Sequence, residues 1–381
     1  MFKRHIQPLV ENRLKRFPAI ALVGPRQCGK TTFAKSMGGV YFDLEQESDR
    51  VSLDIKWDSL MTQSDLVILD EAQEWPVLFK RLRGAIDQDR KRNGRFLLLG
   101  SVSPALMRQV SESLAGRMAL LELTPFVREE LPSELQQNLW LYGGYPDGGI
   151  VDPGQYSQWQ QHYLEMLVFR DLPAWGLPAE PHTTQRLLKM IAAVHGQTLN
   201  ASQLGKSLDI SYKTVKSYLG YLEGAFLIRQ LQPFHSNLKK RLVKSSKLYW
   251  RDSGLLHTLL NIRNEEELLS APWVGASWEG FVIEQVLNAL KLKDLQFSPY
   301  FFRTNDQYEI DLVLDFGKEK WAIEIKLTSS PDVSAIGRLN KTADLIGASR
   351  RILISRTSKT VDNDKVISCN LDWFISYLVK Q

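Results

Sequence analysis

Short apolar runs recur through the first third of the chain: AIALVG from residue 19, VYFDL from 40, DLVILDE from 65, RFLLLGS from 95 and ALLELTPF from 119. None alternates, and each is too brief for a helix. Helix-length stretches separate them. The combination predicts strands of a parallel sheet covered on both faces. From 126 to 195 the pattern turns helical and rich in Trp and Tyr, with the turn cluster YGGYPDGG at 142. In LNASQLGKSLDISYKTVKSYLGYLEG, Leu204 and Leu208 share one stripe and Ser211 can cap the next helix. There Val215, Leu219 and Leu222 face inward, while Tyr212, Lys213 and Lys216 face out. This is a helix-turn-helix pattern, and FLIRQLQPF and KLYWRD can pair behind it as a wing.

A different pattern follows residue 272. In SWEGFVIEQVLNALK, Glu279 shares a stripe with Ile283, Val286 and Leu290, so it should point to a sheet. Glu284 lies with Ser277, Asn288 and Lys291 and should face solvent. YEIDLVLDF then alternates strictly: Ile310, Leu312, Leu314 and Phe316 one way, Glu309, Asp311, Val313 and Asp315 the other. WAIEIKL alternates too, setting Glu324 and Lys326 opposite Trp321, Ile323, Ile325 and Leu327. If GKEK is a four-residue loop, Asp311 lies across from Lys326 and Val313 across from Glu324. Asp311, Glu324 and Lys326 then share one face, and an odd slip in register would scatter them. The patterns together predict units at 1–125, 126–195, 196–271 and 272–381.

The chemistry begins at the first strand. GPRQCGKT fits G-x-x-x-x-G-K-[ST] between a strand and a helix. The loop and helix start, Gly24, Pro25, Arg26, Gln27, Cys28, Gly29, Lys30, Thr31 and Thr32, can cradle the phosphates of ATP with backbone N–H groups. Lys30 would neutralise β/γ oxygens, and the Thr31 hydroxyl would bind Mg²⁺. DLVILDEAQ puts Asp70 and Glu71 at the end of a buried strand, the edge where open α/β sheets bind ligands. Asp70 would hold Mg²⁺, and Glu71 would orient and deprotonate water. Ser101 and Ser103 follow a third strand, near the expected γ-phosphate. Arg117 could serve a neighbouring copy's phosphate, which makes a homo-oligomer one allowed partner; an ordinary surface arginine fits as well.

At the other end, two carboxylates and a lysine on one face suit Mg²⁺-assisted phosphodiester cleavage. Asp311 and Glu324 would hold the metal with Glu279 as third acid, and Lys326 would orient or deprotonate water. Charge adds a further partner. Lys239, Lys240, Arg241, Lys244 and Lys247 crowd one stretch, so the 199–247 segment suits the phosphates of nucleic acid, DNA in the leading reading. No side chain there selects a base.

GPRQCGKTT, LVILDEAQ, LLLGSVSPAL and SESLAGR together resemble the prokaryotic AAA-type ATPases that carry a winged-helix segment and a C-terminal nuclease-like domain. DSGLL and the WEGFV…EIDLVL…EIK series continue the resemblance over nearly the whole chain, and D…E-x-K matches the PD-(D/E)xK nuclease pattern. The resemblance implies an α/β AAA-type P-loop core with a helical lid, a winged helix-turn-helix and a restriction-endonuclease-like α/β domain. It places Lys30, Thr31, Asp70 and Glu71 at matching positions. It implies an ATPase with ATP and Mg²⁺ as cofactors. A nucleotide-switched regulator whose C-terminal domain binds without cutting is the alternative.

Bulk properties narrow little further. The 381 residues are 44% hydrophobic and 24% charged with a net charge of +5, which fits a globular chain and permits a polyanionic partner. Two cysteines, Cys28 and Cys369, make no disulfide framework, so a reducing cytoplasm is the expected compartment. No apolar run approaches a membrane span.

Overall fold

The computed structural model describes residues 2–101, 114–235, 244–305, 308–363 and 365–380. Strands β1 (Ala19–Gly24), β2 (Val40–Asp43), β3 (Val67–Asp70), β4 (Phe96–Ser101) and β5 (Met118–Glu122) form a parallel sheet in the order β2-β3-β4-β1-β5. Successive side chains of a strand point to opposite faces, so runs apolar at nearly every position need cover on both faces. On β4, Leu97 and Leu99 join Val10 of α1 (Gln7–Leu14) and Phe33 of α2 (Lys30–Ser36). Phe96 and Leu98 join Leu53 of α3 (Glu47–Thr62) and Leu82 of α4 (Val77–Gln88) on the other side.

Helices α5 (Gln158–Met166), α6 (Pro181–Ala193), α7 (Ala201–Leu208) and α8 (Tyr212–Gly224) share a second core. Leu204, Leu208, Val215, Leu219 and Leu222 all point into it. The turn between α7 and α8 works as its residues suggest: Asp209 takes the left-handed conformation at φ 56°, and Ser211 Oγ accepts from Thr214 N at 3.1 Å. Strands β6 (Ile228–Pro233) and β7 (Lys247–Trp250) then pair antiparallel, and α9 (Ser253–Leu259) follows.

Those two strands do not project as a free wing. They extend the C-terminal sheet, because Gln232 and Pro233 of β6 pair with Tyr300 and Phe301 of β8 (Ser298–Arg303). With β9 (Glu309–Asp315), β10 (Lys320–Ile325), β11 (Arg350–Ser355), β12 (Val361–Asp362) and β13 (Val366–Asn370), the order is β12-β13-β11-β10-β9-β8-β6-β7. Helices α10 (Val274–Leu292) and α12 (Leu371–Lys380) cover the face of Leu312, Leu314 and Ile323. The face of Val313, Ala322 and Leu353 packs on α11 (Val333–Ile346).

The β9–β10 register differs from the expected one by two residues. Asp315 pairs with Lys320 and Leu314 with Trp321, and Phe316 N donates to Glu319 O at 3.0 Å, so the turn is only Gly317–Lys318. Gly317 has φ 82°, which makes the tighter turn accessible. Continuing the register sets Asp311 level with Glu324 instead of Lys326. An even slip preserves parity, so the shared face survives.

Glu284 is a second correction. It is 3% exposed, because α10 is covered along nearly its whole length and two arginines reach in to neutralise the carboxylate.

Candidate functional site

Two lysine–carboxylate groupings stand out, one at each end of the chain. The first lies where β1 enters α2. A Cβ on Gly24 would come within 2.1 Å of the Leu123 carbonyl oxygen, so only glycine lets β1 turn there beside the segment after β5. Gly29 has φ 97° and opens α2. Lys30 is folded back on its own loop, donating to Gly24 O at 3.0 Å and Pro25 O at 2.8 Å. Asp70 faces it from β3. Its Oδ2 accepts from the Thr31 hydroxyl at 2.7 Å and the Tyr41 hydroxyl at 2.8 Å. Its Oδ1 accepts from Glu71 N at 2.9 Å. Glu71 sits at φ 47°, a left-handed conformation unusual for a side chain, as the chain leaves β3. Gln73 donates to its carboxylate.

A cavity of about 650 Å³ opens over this edge. Arg26, Gln27, Lys30, Thr31, Thr32 and Glu71 form one wall. The opposite wall comes from the helical unit, with Trp159 and Tyr163 of α5 stacked at 5.1 Å, and Arg170 and Asp171 beyond it. The RDLPAW segment has no role legible in its sequence; in the fold, buried Asp171 pairs with Arg26 of the phosphate loop and with Arg170 at 2.9 Å. Hard oxygens at Thr31 and Asp70, close enough to share one ion, fit Mg²⁺. Cys28 is fully buried, and burial pushes its thiol up, so it is a packing residue and not an accessible redox group.

The second grouping lies on β9 and β10. Ile325 N donates to Asp311 Oδ2 at 2.8 Å, and Lys326 Nζ lies 2.6 Å from Glu324 Oε1. Glu279, from the first turns of α10, reaches the same place, but what it meets there is Lys247. That ammonium lies 2.9 Å from Glu279 Oε1, 2.7 Å from Glu309 Oε1 and 3.8 Å from Asp311 Oδ1. Tyr249, two residues along β7, donates to Glu279 as well.

Lys247 was expected in an outward basic strip; it is 3% exposed because it heads a wholly buried strand. Burial alone would lower its pKa, but Glu279, Tyr249, Asp311 and Glu309 outweigh that and hold it well above the ordinary lysine value. Burial, then Glu279 and Glu324, push Asp311 well above the ordinary carboxylate value against the pull of the two lysines. Among the described residues no three His, Cys, Asp or Glu side chains are arranged to hold a metal ion. Glu279, Asp311 and Glu324 are therefore gathered, yet as partners of ammonium groups.

A third ionic group joins the two ends. Glu284 of α10 accepts from Arg229 Nη2 at 2.9 Å and Arg251 Nε at 3.1 Å. Arg251 also pairs with Glu122 of β5, which Lys291 meets at 2.8 Å. Glu122 stands beside Val23, the residue before Gly24.

Other expected positions are simpler. Tyr212, Lys213 and Lys216 are exposed on α8, with Lys216 Nζ 5.7 Å from the Tyr212 ring. Lys244 is exposed, whereas Lys239, Lys240, Arg241 and Ser103 lie outside the described residues. Ser101 ends β4 beside Gly24, and its side chain is outside the description too. Arg117 is engaged by Asp87 of its own chain at 2.8 and 3.0 Å. No helix among the described residues is long and apolar enough to cross a membrane.

Comparison with known proteins finds three family matches along the chain. Residues 16–131 match the family described as AAA domain, and 133–266 and 274–373 match two domains of unknown function, DUF8612 and DUF4143. Uncharacterized proteins of Mycobacterium tuberculosis (Rv2008c) and Mycobacterium bovis (Mb2031c) are each 36% identical over 378 residues, covering 96% of this chain and 85% of theirs. A solved RuvB of Thermotoga maritima aligns over 59% of this chain and 87% of its own at 16% identity, but with a TM-score of 0.30, too low to speak for a shared overall fold.

Proposed function

We propose, from the premise that this chain belongs to the family of the two mycobacterial proteins and carries an AAA domain over residues 16–131, that it is an ATP-hydrolysing switch that engages DNA. The observation that carries the ATPase reading is Thr31 and Asp70 joined at 2.7 Å, with Glu71 beside them on the cavity wall. On binding ATP, Lys30 exchanges two loop carbonyls for β- and γ-phosphate oxygens. Thr31 and Asp70 present oxygens to Mg²⁺, which when bound neutralises charge on those phosphates. Glu71 orients the attacking water and takes its proton. Trp159, Tyr163 and Arg170 close the far wall, and Arg26–Asp171 ties the loop to that wall, so phosphate contact at Arg26 would compete with Asp171.

DNA contact falls to α7–α8 read as a helix-turn-helix, with β6–β7 as its wing built into a PD-(D/E)xK-like sheet. Tyr212, Lys213 and Lys216 form the outward face, suited to phosphates. In the C-terminal sheet the acids and Lys326 share a face, but Lys247 lies among them, so this unit engages DNA without cleaving it. Glu122, beside the phosphate-loop strand, and Arg251, just past β7, offer a route by which nucleotide state would reach that sheet.

ATP turnover of Glu71→Gln decides the first part. A loss of at least about 100-fold is expected, with nucleotide still bound. Turnover equal to wild type would remove Glu71 from its role. Labelled DNA incubated with Mg²⁺ tests the second part: retention without cutting is expected, and cleavage abolished by Lys326→Ala would replace the switch with a nuclease.

A further inference from the structure

The RDLPAW segment supplies a residue that reaches across the nucleotide cavity. Asp171 ends a single π-helical turn, Leu167–Asp171, a kind of turn that is rare and concentrated at functional sites. Its carboxylate is buried, and one oxygen, Oδ1, accepts from two arginines: Arg26 Nη1 of the phosphate loop, and Arg170 Nε at 2.9 Å. Tyr163 of α5 holds the same loop residue by its backbone, donating to Arg26 O at 3.3 Å. The helical unit thus grips Arg26 twice. Next to it stands Gln27, whose φ of 58° is a left-handed conformation that a side chain adopts at a cost.

Two observations set this pair apart from a fixed structural bridge. The Arg26 side chain is 25% exposed and lines the cavity, so its guanidinium borders the space that a phosphate chain would fill. Asp171, for its part, does not depend on Arg26 alone. With Arg26 gone, Arg170 remains on the same oxygen, and no buried carboxylate is stranded without a cation. A phosphate chain offers a guanidinium more charge and more acceptor oxygens than one shared carboxylate oxygen does. The exchange is therefore open. Its consequence runs inward, because the next residue, Leu172, is fully buried in one core with Leu204, Leu208 and Val215 of the helix-turn-helix.

We propose that Arg26 is a second phosphate-binding cation beside Lys30, held in reserve by Asp171, and that a bound triphosphate draws it off Asp171 and so unties the helical unit from the loop. The proposal rests on the reading of this cavity as an ATP site, and adds which side chain changes partner there and what that change releases.

The measurement is calorimetric titration of the full-length chain with ATPγS and Mg²⁺. Asp171→Asn, which removes the competing charge, is expected to bind ATPγS about five-fold tighter than wild type or better. With Arg26→Ala added, that gain is expected to vanish, the double variant binding no tighter than Arg26→Ala alone. Unchanged or weaker binding by Asp171→Asn overturns the proposal, and so does a gain that survives without Arg26. Should Asp171→Asn fail to fold, hydrogen exchange across residues 167–174 decides. ATPγS is expected to raise it in wild type and to leave it unchanged in Arg26→Ala, which is untied already; the same response in both overturns the proposal. Wild type that binds no ATPγS would remove the ATP reading and this proposal together, whereas binding with none of these differences removes the proposal alone.

Discussion

Lys30 with Asp70 and Glu71, and Lys247 with Glu279, Glu309 and Asp311, use the same side chains to opposite ends. At the first, the lysine rests on two neutral carbonyls and Asp70 on two hydroxyls and an amide. Among the described residues Lys30, Asp70 and Glu71 form no ion pair, so an incoming phosphate and its metal meet groups that exchange weak partners for strong ones. A cavity lies over it. At the second, the ammonium is already enclosed by carboxylates, and the charges satisfy one another. What fits a lysine–carboxylate set for a ligand is the partner each group holds while waiting.

That contrast breaks first on stability. Lys247→Met would strand Glu279 and Asp311 in a buried site, while Glu309 keeps Arg303 at 3.7 Å, and should cost about 3–5 kcal/mol in urea unfolding. Lys326→Ala should cost under about 1 kcal/mol, because its side chain is 42% exposed and its ion pair among the described residues is with Glu324. Lys30→Met should lower stability as little, while removing nucleotide binding. If Lys30→Met proves as damaging as Lys247→Met, the two sites are not different in kind.

The joint between them sharpens the comparison through pH. Burial would raise the Glu122 carboxyl, but Arg251 and Lys291 outweigh it and hold the group at about 2, against an ordinary 4.5. A depressed carboxyl contributes stability that is present above pH 4.5 and lost as pH falls towards 2. With 17% of the side chain exposed, the contribution is about 2 kcal/mol after allowance for screening. Glu122→Gln should therefore be the less stable protein at neutral pH and show a flatter decline below pH 4.5. Parallel decline of the two proteins would mean that the link between the sheets is not electrostatic.

The nucleotide edge was legible in sequence because its parts are local: a loop between strand and helix, and two acids closing an apolar run. The acid cluster was half legible. Strict alternation placed Asp311, Glu324 and Lys326 on one face, and parity tolerated the two-residue error in the turn. Lys247 and Glu284 were misread for one reason. A charged residue on a helix or strand reads as solvent-facing unless its partner is visible, and the partners lie 32 and 62 residues from Lys247 and 55 and 33 from Glu284. Asp171 was silent likewise, its partner Arg26 being 145 residues away. The one local hint at Lys247 is that it opens KLYW, whose other members are all apolar or aromatic and buried.

The exposed lysines of α8 supply the smallest effect and a third state for comparison. Lys213 and Lys216 have no carboxylate partner among the described residues, so neither a waiting ligand nor an internal acid accounts for them. If they meet DNA phosphates, each releases about one counterion on binding. Lys213→Ala should then weaken binding several-fold at moderate salt and flatten the plot of log affinity against log salt by about one unit, equally for unrelated sequences. Lys216→Ala should do the same, with some further loss from its contact with Tyr212. Fluorescence anisotropy at a series of salt concentrations measures both, and Lys30→Ala, on α2, is the control. A slope unchanged in both variants would leave α8 an ordinary solvated face.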